Sequence, residues 1–501
     1  MSNLIVILPD QLSINISSLK MAQKSDLILL VEPYDFFTYV EHHKKKLIFQ
    51  ISSIRNFYND LKKKWPKIDL VKIDKKLSLI EILDTYNKKT KYTNIIITEA
   101  SEYYLQDIIT KNIKKFNISI LPDDRFFCSK KEFISWSEGK KQYTQETFYR
   151  YIRKKHKILM NGDKPEGDLW NFDKKNRKNI PKDLKVPKIK EIKITPLIQD
   201  IIKTVENIFP KNLGDSKSFN FATTSKEAKV LLNDFLEKRV YLFGDYQDAM
   251  KINDCWLFHS CISMYLNNGL LEPKYVINQV VKYYKQNDVP INSIEGFIRQ
   301  IIGWREFIRG IYWKFMPEYK NKNFFKFTNK LPSYFWNGKT DMRCLKESIS
   351  DTINFSYANH IQRLMVLGNF LLLSNINPIE VQNWYLIVYA DAYEWVEMPN
   401  VVGMSLYADG GVFATKPYIS SGNYINKMSD YCRGCKYNVK TKLDDDSCPF
   451  NYLYWNFLIQ NSSILSKNPR LSFAYMGLNK ISESDKKTII KQSKKFLGSN
   501  N

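Results

Sequence analysis

The chain lacks both glycine-rich phosphate signatures of nucleotide-binding α/β proteins. Neither G-x-G-x-x-G nor G-x-x-x-x-G-K-[S/T] follows any of its aliphatic runs, so ordinary dinucleotide binding and P-loop chemistry lose their sequence basis. It also lacks any continuous apolar run of the roughly 18 to 20 residues that a bilayer-crossing helix needs. Met1-Ser2-Asn3 shows neither the basic start nor the small-residue cleavage site of a signal peptide. Seven cysteines, an odd number in 501 residues, do not make a secreted disulfide scaffold. These absences together predict a cytoplasmic protein with no membrane partner.

What is present is a chain with 44% hydrophobic residues, long enough for two or three domains with sizeable cores. Lys and Arg number 76 against 52 acids, a net charge of +24, which raises the expectation of a polyanionic partner such as nucleic acid. Part of that excess is lysine-rich composition. The runs His42-His43-Lys44-Lys45-Lys46 and Lys62-Lys63-Lys64 read as solvated helix faces.

Five short aliphatic runs open the chain: Leu4-Ile-Val-Ile-Leu8, Leu27-Ile-Leu-Leu-Val31, Leu70-Val-Lys-Ile73, Asn94-Ile-Ile-Ile-Thr98 and Ile118-Ser-Ile-Leu121. Helix-length polar stretches separate them, which describes a mostly parallel sheet covered by helices over residues 1–125. Residues 126–225 are basic and irregular, ending in the stretch from Lys182 to Pro196, and read as a long connector. Beyond it strand signals nearly vanish, and 226–501 is predicted to be all-helical and large enough to enclose a cofactor. Within it Asn359 to Leu373 has helical spacing. A new helix starts with Asn377 as N-cap, Pro378 at the first helical position and Glu380 in the first turn.

Four cysteines in this half have metal-ligand spacing. Cys432-x2-Cys435 is followed, after twelve intervening residues, by Cys448, directly before Pro449, with Cys344 alone about ninety residues upstream. A CxxC turn presents two sulfurs to one side, and Pro after Cys redirects the chain, so four thiolates can converge on an iron-sulfur cluster or a structural zinc. One pair plus two singles favours iron-sulfur over zinc, whose ribbons come as two pairs. Cys128, Cys255 and Cys261 sit in apolar surroundings and read as packing residues.

Several helical segments are dense in aromatic, acidic and small residues: His259-Ser260-Cys-Ile-Ser263, Arg299-Gln300-Ile-Ile-Gly303-Trp304-Arg305-Glu306, His360-Ile-Gln362-Arg363, Asp391-Ala-Tyr393-Glu394-Trp395-Val-Glu397-Met398-Pro399-Asn400 and Tyr418 to Asn426. Hydroxyls can hold a pyrophosphate, carboxylate and amide groups can face a heterocycle, and tryptophans can carry electrons, which together suggest a flavin site. At these residues, and at Leu8-Pro-Asp-Gln-Leu12, Met160-Asn-Gly162, Trp170-Asn-Phe-Asp173 and Asn176-Arg177, the chain resembles the iron-sulfur bacterial cryptochrome and photolyase family. The branch it resembles is that of prokaryotic (6-4) photolyases, also called deoxyribodipyrimidine photolyase-related proteins, and the likeness runs over essentially the whole length.

That resemblance implies an N-terminal Rossmann-like antenna domain, a linker, and an all-helical domain holding FAD with a [4Fe-4S] cluster on Cys344, Cys432, Cys435 and Cys448. It implies Ser260 and Ser263 for the FAD phosphates, and Gln300, Trp304, Arg305, Arg363, Asp391, Glu397 and Asn400 around the cofactor. His360 matches a proton donor to the lesion, Tyr424 and Met404 match lesion-pocket residues, and Trp336, Trp384 and Tyr385 match an electron route from surface to flavin. The family's antenna would be 6,7-dimethyl-8-ribityllumazine, and Asp10, Gln11 and Glu32, at the ends of the first two strands, are the polar groups placed around it.

Asn359 departs from the family, which commonly has a first histidine there; an amide positions a neighbour but relays no proton. The implied activity is light-driven repair of (6-4) photoproducts in UV-damaged DNA by an electron from reduced FAD, with a monomer as the default state. The alternative is a blue-light photoreceptor with the same cofactors and no repair, which Asn359 favours. A primase large-subunit-like protein shares the helical iron-sulfur pattern but not the N-terminal sheet or the WRE and DAYEW segments.

Overall fold

The computed structural model describes residues 2–90, 92–181 and 183–498; Met1 and Lys182, which begin two of the stretches read above, lie outside them. Five strands, β1 (Leu4–Ile7), β2 (Leu27–Val31), β3 (Ile68–Val71), β4 (Ile95–Thr98) and β5 (Ile118–Leu121), form a parallel sheet of order β3-β2-β1-β4-β5. Leu4 pairs with Leu27 on one side and Ile95 on the other. β1 and β4 are buried along their whole length, as strands are when helices cover both faces. β3 begins and ends two residues earlier than its aliphatic run, because the Glu32 carboxylate takes the Ile73 N–H at 2.9 Å and turns the chain out of the sheet. Strand order reverses between β1 and β4, which makes the crevice at their carboxyl ends the topological switch point.

The basic run before the helix α1 (Lys44–Lys62) is not a solvated face. His42, His43, Lys44, Lys45 and Lys46 are 1, 0, 9, 1 and 1% exposed. The start of α1 is wedged between the sheet and the helical half, and its polar groups are satisfied there. His43 caps α1, with Nδ1 accepting the Lys45 N–H at 3.0 Å and Nε2 donating to the Ile353 carbonyl at 2.8 Å. The Lys46 ammonium donates to the Leu386 and Ala392 carbonyls at 2.8 and 2.6 Å, and Lys44 reaches Glu206 at 2.8 Å. Periodicity cannot reveal this, because a lysine's (CH₂)₄ stem packs equally well against protein as along a surface. Lys62, Lys63 and Lys64, at the far end of α1, are exposed as expected.

The connector is more regular than its basic text suggests, carrying helices at Lys130–Ser137, Gln145–His156 and Pro196–Ile208 around the irregular stretch 183–195. From Ser225 onward the described residues form helices, with only isolated bridges besides. Asn377 caps its helix by accepting the Ile379 N–H at 3.0 Å, with Pro378 at the first helical position. Helix interiors widen into π-helical turns at Arg299–Arg305, Gln362–Gly368 and Pro399–Ser405, three of the motif-dense segments. Such turns recur at functional sites because the extra residue re-aims side chains inward. Among the described residues no helix is long and apolar enough to cross a membrane.

Candidate functional site

The wide turns converge on one buried ionic network. Arg363 forms a two-pronged pair with Asp391 at 2.9 and 3.2 Å, lies 3.8 Å over the Tyr389 ring and donates from Nε to the Ala358 carbonyl at 2.7 Å. Asp391 also accepts the Ser263 hydroxyl at 2.6 Å. Glu397 stands within electrostatic range of both. Burial first, and Asp391 against the opposing pull of Arg363, push its carboxyl up to about 7, and its Oε1 is buried without a hydrogen bond.

His360 is accessible, yet its pKa is pushed down to about 4 by desolvation, with Arg363 and His259 adding to the shift. Gln300 is likewise accessible between buried neighbours on its wide turn, and Trp304 is half-buried 5.8 Å from Phe413. The structure thus brings Ser263, His360, Arg363, Asp391 and Glu397 together, with Ser260 half-buried beside them.

Arg305 turns the other way. Its guanidinium packs over Phe126 and Trp395 at 4.5 and 4.9 Å, and Nε donates to Asn267 at 3.3 Å. Asn267 in turn holds the Asp391 main-chain carbonyl at 2.9 Å, so Arg305 positions the network from behind. Asn400 is spent on its own helix, donating to the Val396 carbonyl at 2.7 Å.

Asn359 has a local role. Its Oδ1 accepts the Gln362 N–H at 3.0 Å while Gln362 Oε1 accepts the Asn359 N–H at 2.9 Å, a reciprocal box at a helix start that a short amide suits well. Its Nδ2 is left buried without a partner, a donor available to a ligand. Met404 is buried and Tyr424 half-buried. Burial and Asp248 raise the Tyr424 hydroxyl, opposed by Arg177. Asp248, pushed up to about 6 by burial, sits in the field of Arg177, Asp173 and Arg299, and the field of Arg177 and Arg470 reaches both Tyr418 and Lys416. Asp248 and this cationic rim carry no sequence pattern of their own; only the resemblance at Asp173 and Arg177 pointed to the region.

The aromatic candidates form a ladder. Trp336 is 40% exposed, and its neighbour Phe335 lies 5.2 Å from the buried Trp384. Trp384 is 5.2 Å from Tyr385, whose hydroxyl donates to the Arg363 carbonyl at 2.6 Å. Tyr389, not anticipated, packs 5.4 Å from Tyr385 directly beneath Arg363.

Cys344, Cys432, Cys435 and Cys448 line a single hollow. Cys344 is on the first turn of the helix Arg343–Phe355, and Cys448 caps Pro449–Gln460. Gly434, at φ +69°, makes the CxxC turn that an L side chain would strain. A Cβ on Gly422 would come within 2.9 Å of the Cys448 sulfur, so only glycine leaves that ligand clear. Burial first and neighbouring thiols second hold Cys344 far above the ordinary range; burial brings Cys432 to about 11 and Cys448 to about 12. Burial disfavours the thiolate forms of Cys344, Cys432 and Cys448, and a cation in the hollow would favour them.

At the switch point Asp10, beyond β1, and Glu102, beyond β4, are 1 and 0% exposed, each with a carboxyl oxygen that has no partner. Burial drives them to about 6 and about 8, and Lys46 down to about 7 against the pull of Glu102, Asp391 and Glu397. The other two residues expected beside Asp10 are committed elsewhere. Gln11 ties β1 to β4 through the Thr98 and Glu99 carbonyls at 3.0 and 3.1 Å, and Glu32 is paired with Arg55 at 2.8 and 2.9 Å on the β2–β3 side. Strand-end polarity alone could not separate the β1/β4 crevice from its neighbour.

An α/β sheet joined to a helical half around such a network is the architecture of the photolyase and cryptochrome class. The chain superposes on a Synechocystis cryptochrome with a TM-score of 0.61 at 14% identity, covering 100% of this chain and 99% of that one. It matches a bacterial class III photolyase from Agrobacterium tumefaciens with a TM-score of 0.57 at 14% identity, covering 96% and 98%. Residues 5–221 match the family model for deoxyribodipyrimidine photo-lyase-related proteins. Over 99% of both chains it is 43% identical to the (6-4) photolyase of Agrobacterium fabrum. The chain therefore belongs to the photolyase-related family, whose members are flavoproteins.

Proposed function

We propose that this protein is a light-driven DNA repair enzyme that reverses (6-4) pyrimidine photoproducts. The observation that carries this reading is 43% identity over the full length to a (6-4) photolyase. The unpartnered Glu397 Oε1 and Asn359 Nδ2 and the accessible, desolvated His360 are the lining an interior cofactor needs. FAD would lie against Ser260, Gln300, Trp304, Glu397 and the Arg363–Asp391–Ser263 network, with Arg305 bracing Asp391 through Asn267 and Asn400 holding its own helix. Reduced FAD, excited by blue light, supplies the electron that opens the lesion.

The remaining steps belong to the protein's own residues. The lesion must be unstacked into a pocket beside Tyr424 and Met404, at about a few kcal/mol, less where the duplex is already damaged. Arg177, Lys416 and Arg470 hold its phosphates. Those phosphates favour protonated His360 against desolvation, making it a proton donor once DNA is bound. Asn359 fixes the turn that presents His360, and electrons reach the site by Trp336, Trp384 and Tyr385.

The four cysteines would hold a [4Fe-4S] cluster. One CxxC pair and two single cysteines around one hollow favour the iron-sulfur cluster over zinc. The lumazine antenna, 6,7-dimethyl-8-ribityllumazine, would sit in the β1/β4 crevice against Asp10, Lys46 and Glu102, with residues 1–125 as antenna domain, 126–225 as linker and 226–501 as catalytic domain.

Purified protein should show resolved flavin bands over a broad iron-sulfur shoulder. Illuminating the reduced protein with oligonucleotides bearing a (6-4) or a cyclobutane lesion then tests repair, with chromatographic recovery of the (6-4) oligonucleotide expected. Intact flavin with neither lesion repaired would leave the photoreceptor reading that Asn359 favours.

A further inference from the structure

Arg239 links the helix Ser225–Lys238 to the helix Val240–Tyr246 in the interior of the helical half. Its side chain is 0% exposed, and none of its three guanidinium nitrogens makes a hydrogen bond. Asp234 lies 3.2 Å from Nη2, but that carboxylate is shared with Lys238 at 2.6 Å and with the Lys190 N–H at 3.4 Å. Asp234 balances the charge, but N–H donors without a hydrogen bond in the interior are costly unless something else uses them.

The helix that Arg239 leads into packs on the segment around Ser260: Phe243 lies 6.2 Å from His259, and His259 Nε2 lies 2.9 Å from the Gln247 carbonyl. The guanidinium's field also reaches His259 and Cys261, the two residues flanking Ser260. Asp254, the acid in the same neighbourhood, is occupied by the Trp256 and Leu257 N–H groups at 3.2 and 3.0 Å. The segment 259–263 supplies only neutral hydroxyls, and the Ser263 hydroxyl is already given to Asp391. The other arginines assigned to the cofactor are spent: Arg363 is neutralised by Asp391, and Arg305 faces Phe126 and Trp395.

We propose that Arg239 is the cationic anchor of the flavin dinucleotide's diphosphate, its unused N–H fork meeting the phosphate oxygens beside Ser260. This rests on the flavin reading above. A planar fork suits two phosphate oxygens at once, and a diphosphate held by hydroxyls alone would leave its charge uncompensated in a buried site.

The test is FAD affinity of the full-length protein, read from the fluorescence of free FAD released on dilution, alongside affinity for riboflavin, which has the same ring and no phosphate. Arg239→Gln is expected to bind FAD roughly 10- to 100-fold more weakly, the range for losing hydrogen bonds to a charged group, with riboflavin affinity unchanged. Arg239→Lys, which keeps the charge without the fork, should fall between, guarding against a misfolded Gln variant. Wild-type FAD affinity in Arg239→Gln, or equal losses for FAD and riboflavin, overturns the proposal. A wild-type protein that takes up no FAD overturns it together with the flavin reading.

Discussion

Replacing Asp391 by Asn tests whether the Arg363–Asp391 pair organises the cofactor site. The substitution keeps shape but removes the counter-charge, in a position where Asp391 is 8% exposed. Two hydrogen bonds between opposite charges, at 2.9 and 3.2 Å, become at best one from the guanidinium to a neutral amide oxygen. The Ser263 hydroxyl, at 2.6 Å, loses an anionic acceptor, while Arg363 remains pinned over Tyr389 with its charge uncompensated. Removing one partner of a buried pair costs about 3–5 kcal/mol. The side chains retain 17 and 10% exposure, so the low end, about 3 kcal/mol, is expected. The assay is urea unfolding of flavin-free protein followed by circular dichroism, because bound FAD would add its own linkage term. Arg363→Met should be destabilising too, and the double variant should cost about 2 kcal/mol less than the two singles together, since it leaves no lone charge. FAD content after purification should drop in either single variant. Additive energies within about 0.5 kcal/mol, or full FAD content in the Asp391→Asn variant, would refute the reasoning.

Three further outcomes are expected. If the four cysteines hold a cluster, Cys448→Ala should lose its iron-sulfur absorption and, having lost the cluster's binding energy, unfold at lower urea concentration. His43, whose pKa burial lowers to about 4 from an ordinary 6.5, binds fewer protons folded than unfolded between those values, so its stability contribution is present above pH 6.5 and lost as pH falls toward 4. His43→Gln should flatten the stability profile between pH 7 and 4.5 by about 2 kcal/mol, and a profile parallel to wild type would contradict the buried cap. Trp384→Phe should slow photoreduction by external thiol while leaving FAD content unchanged, because it interrupts the ladder between Phe335 and Tyr385.

Much of the fold was legible because it rests on short-range rules. Aliphatic runs bounded by polar stretches gave five parallel strands, and Asn377-Pro378 marked a helix start by capping chemistry alone. The cysteine spacing foresaw that four thiols would share one hollow, since a CxxC turn and a Cys-Pro cap are local devices. Motif density likewise located the three wide turns that carry Trp304, Arg363 and Asn400.

Long-range partners were not legible. Lys46 looks identical in text whether its ammonium group meets water or the Leu386 and Ala392 carbonyls, more than three hundred residues away. Asp10 and Glu32 are equivalent strand-end acids until the order β3-β2-β1-β4-β5 puts one at the switch point and the other against Arg55. Arg305 and Arg239 exchange importance in the same way, one turned to Phe126 and Trp395 and the other left with unused donors in the interior. Sequence determines each residue's chemistry and its nearest turns. Which charge stays unpaired, and which faces the hollow, is decided when segments far apart in the chain are packed together and water is removed from between them.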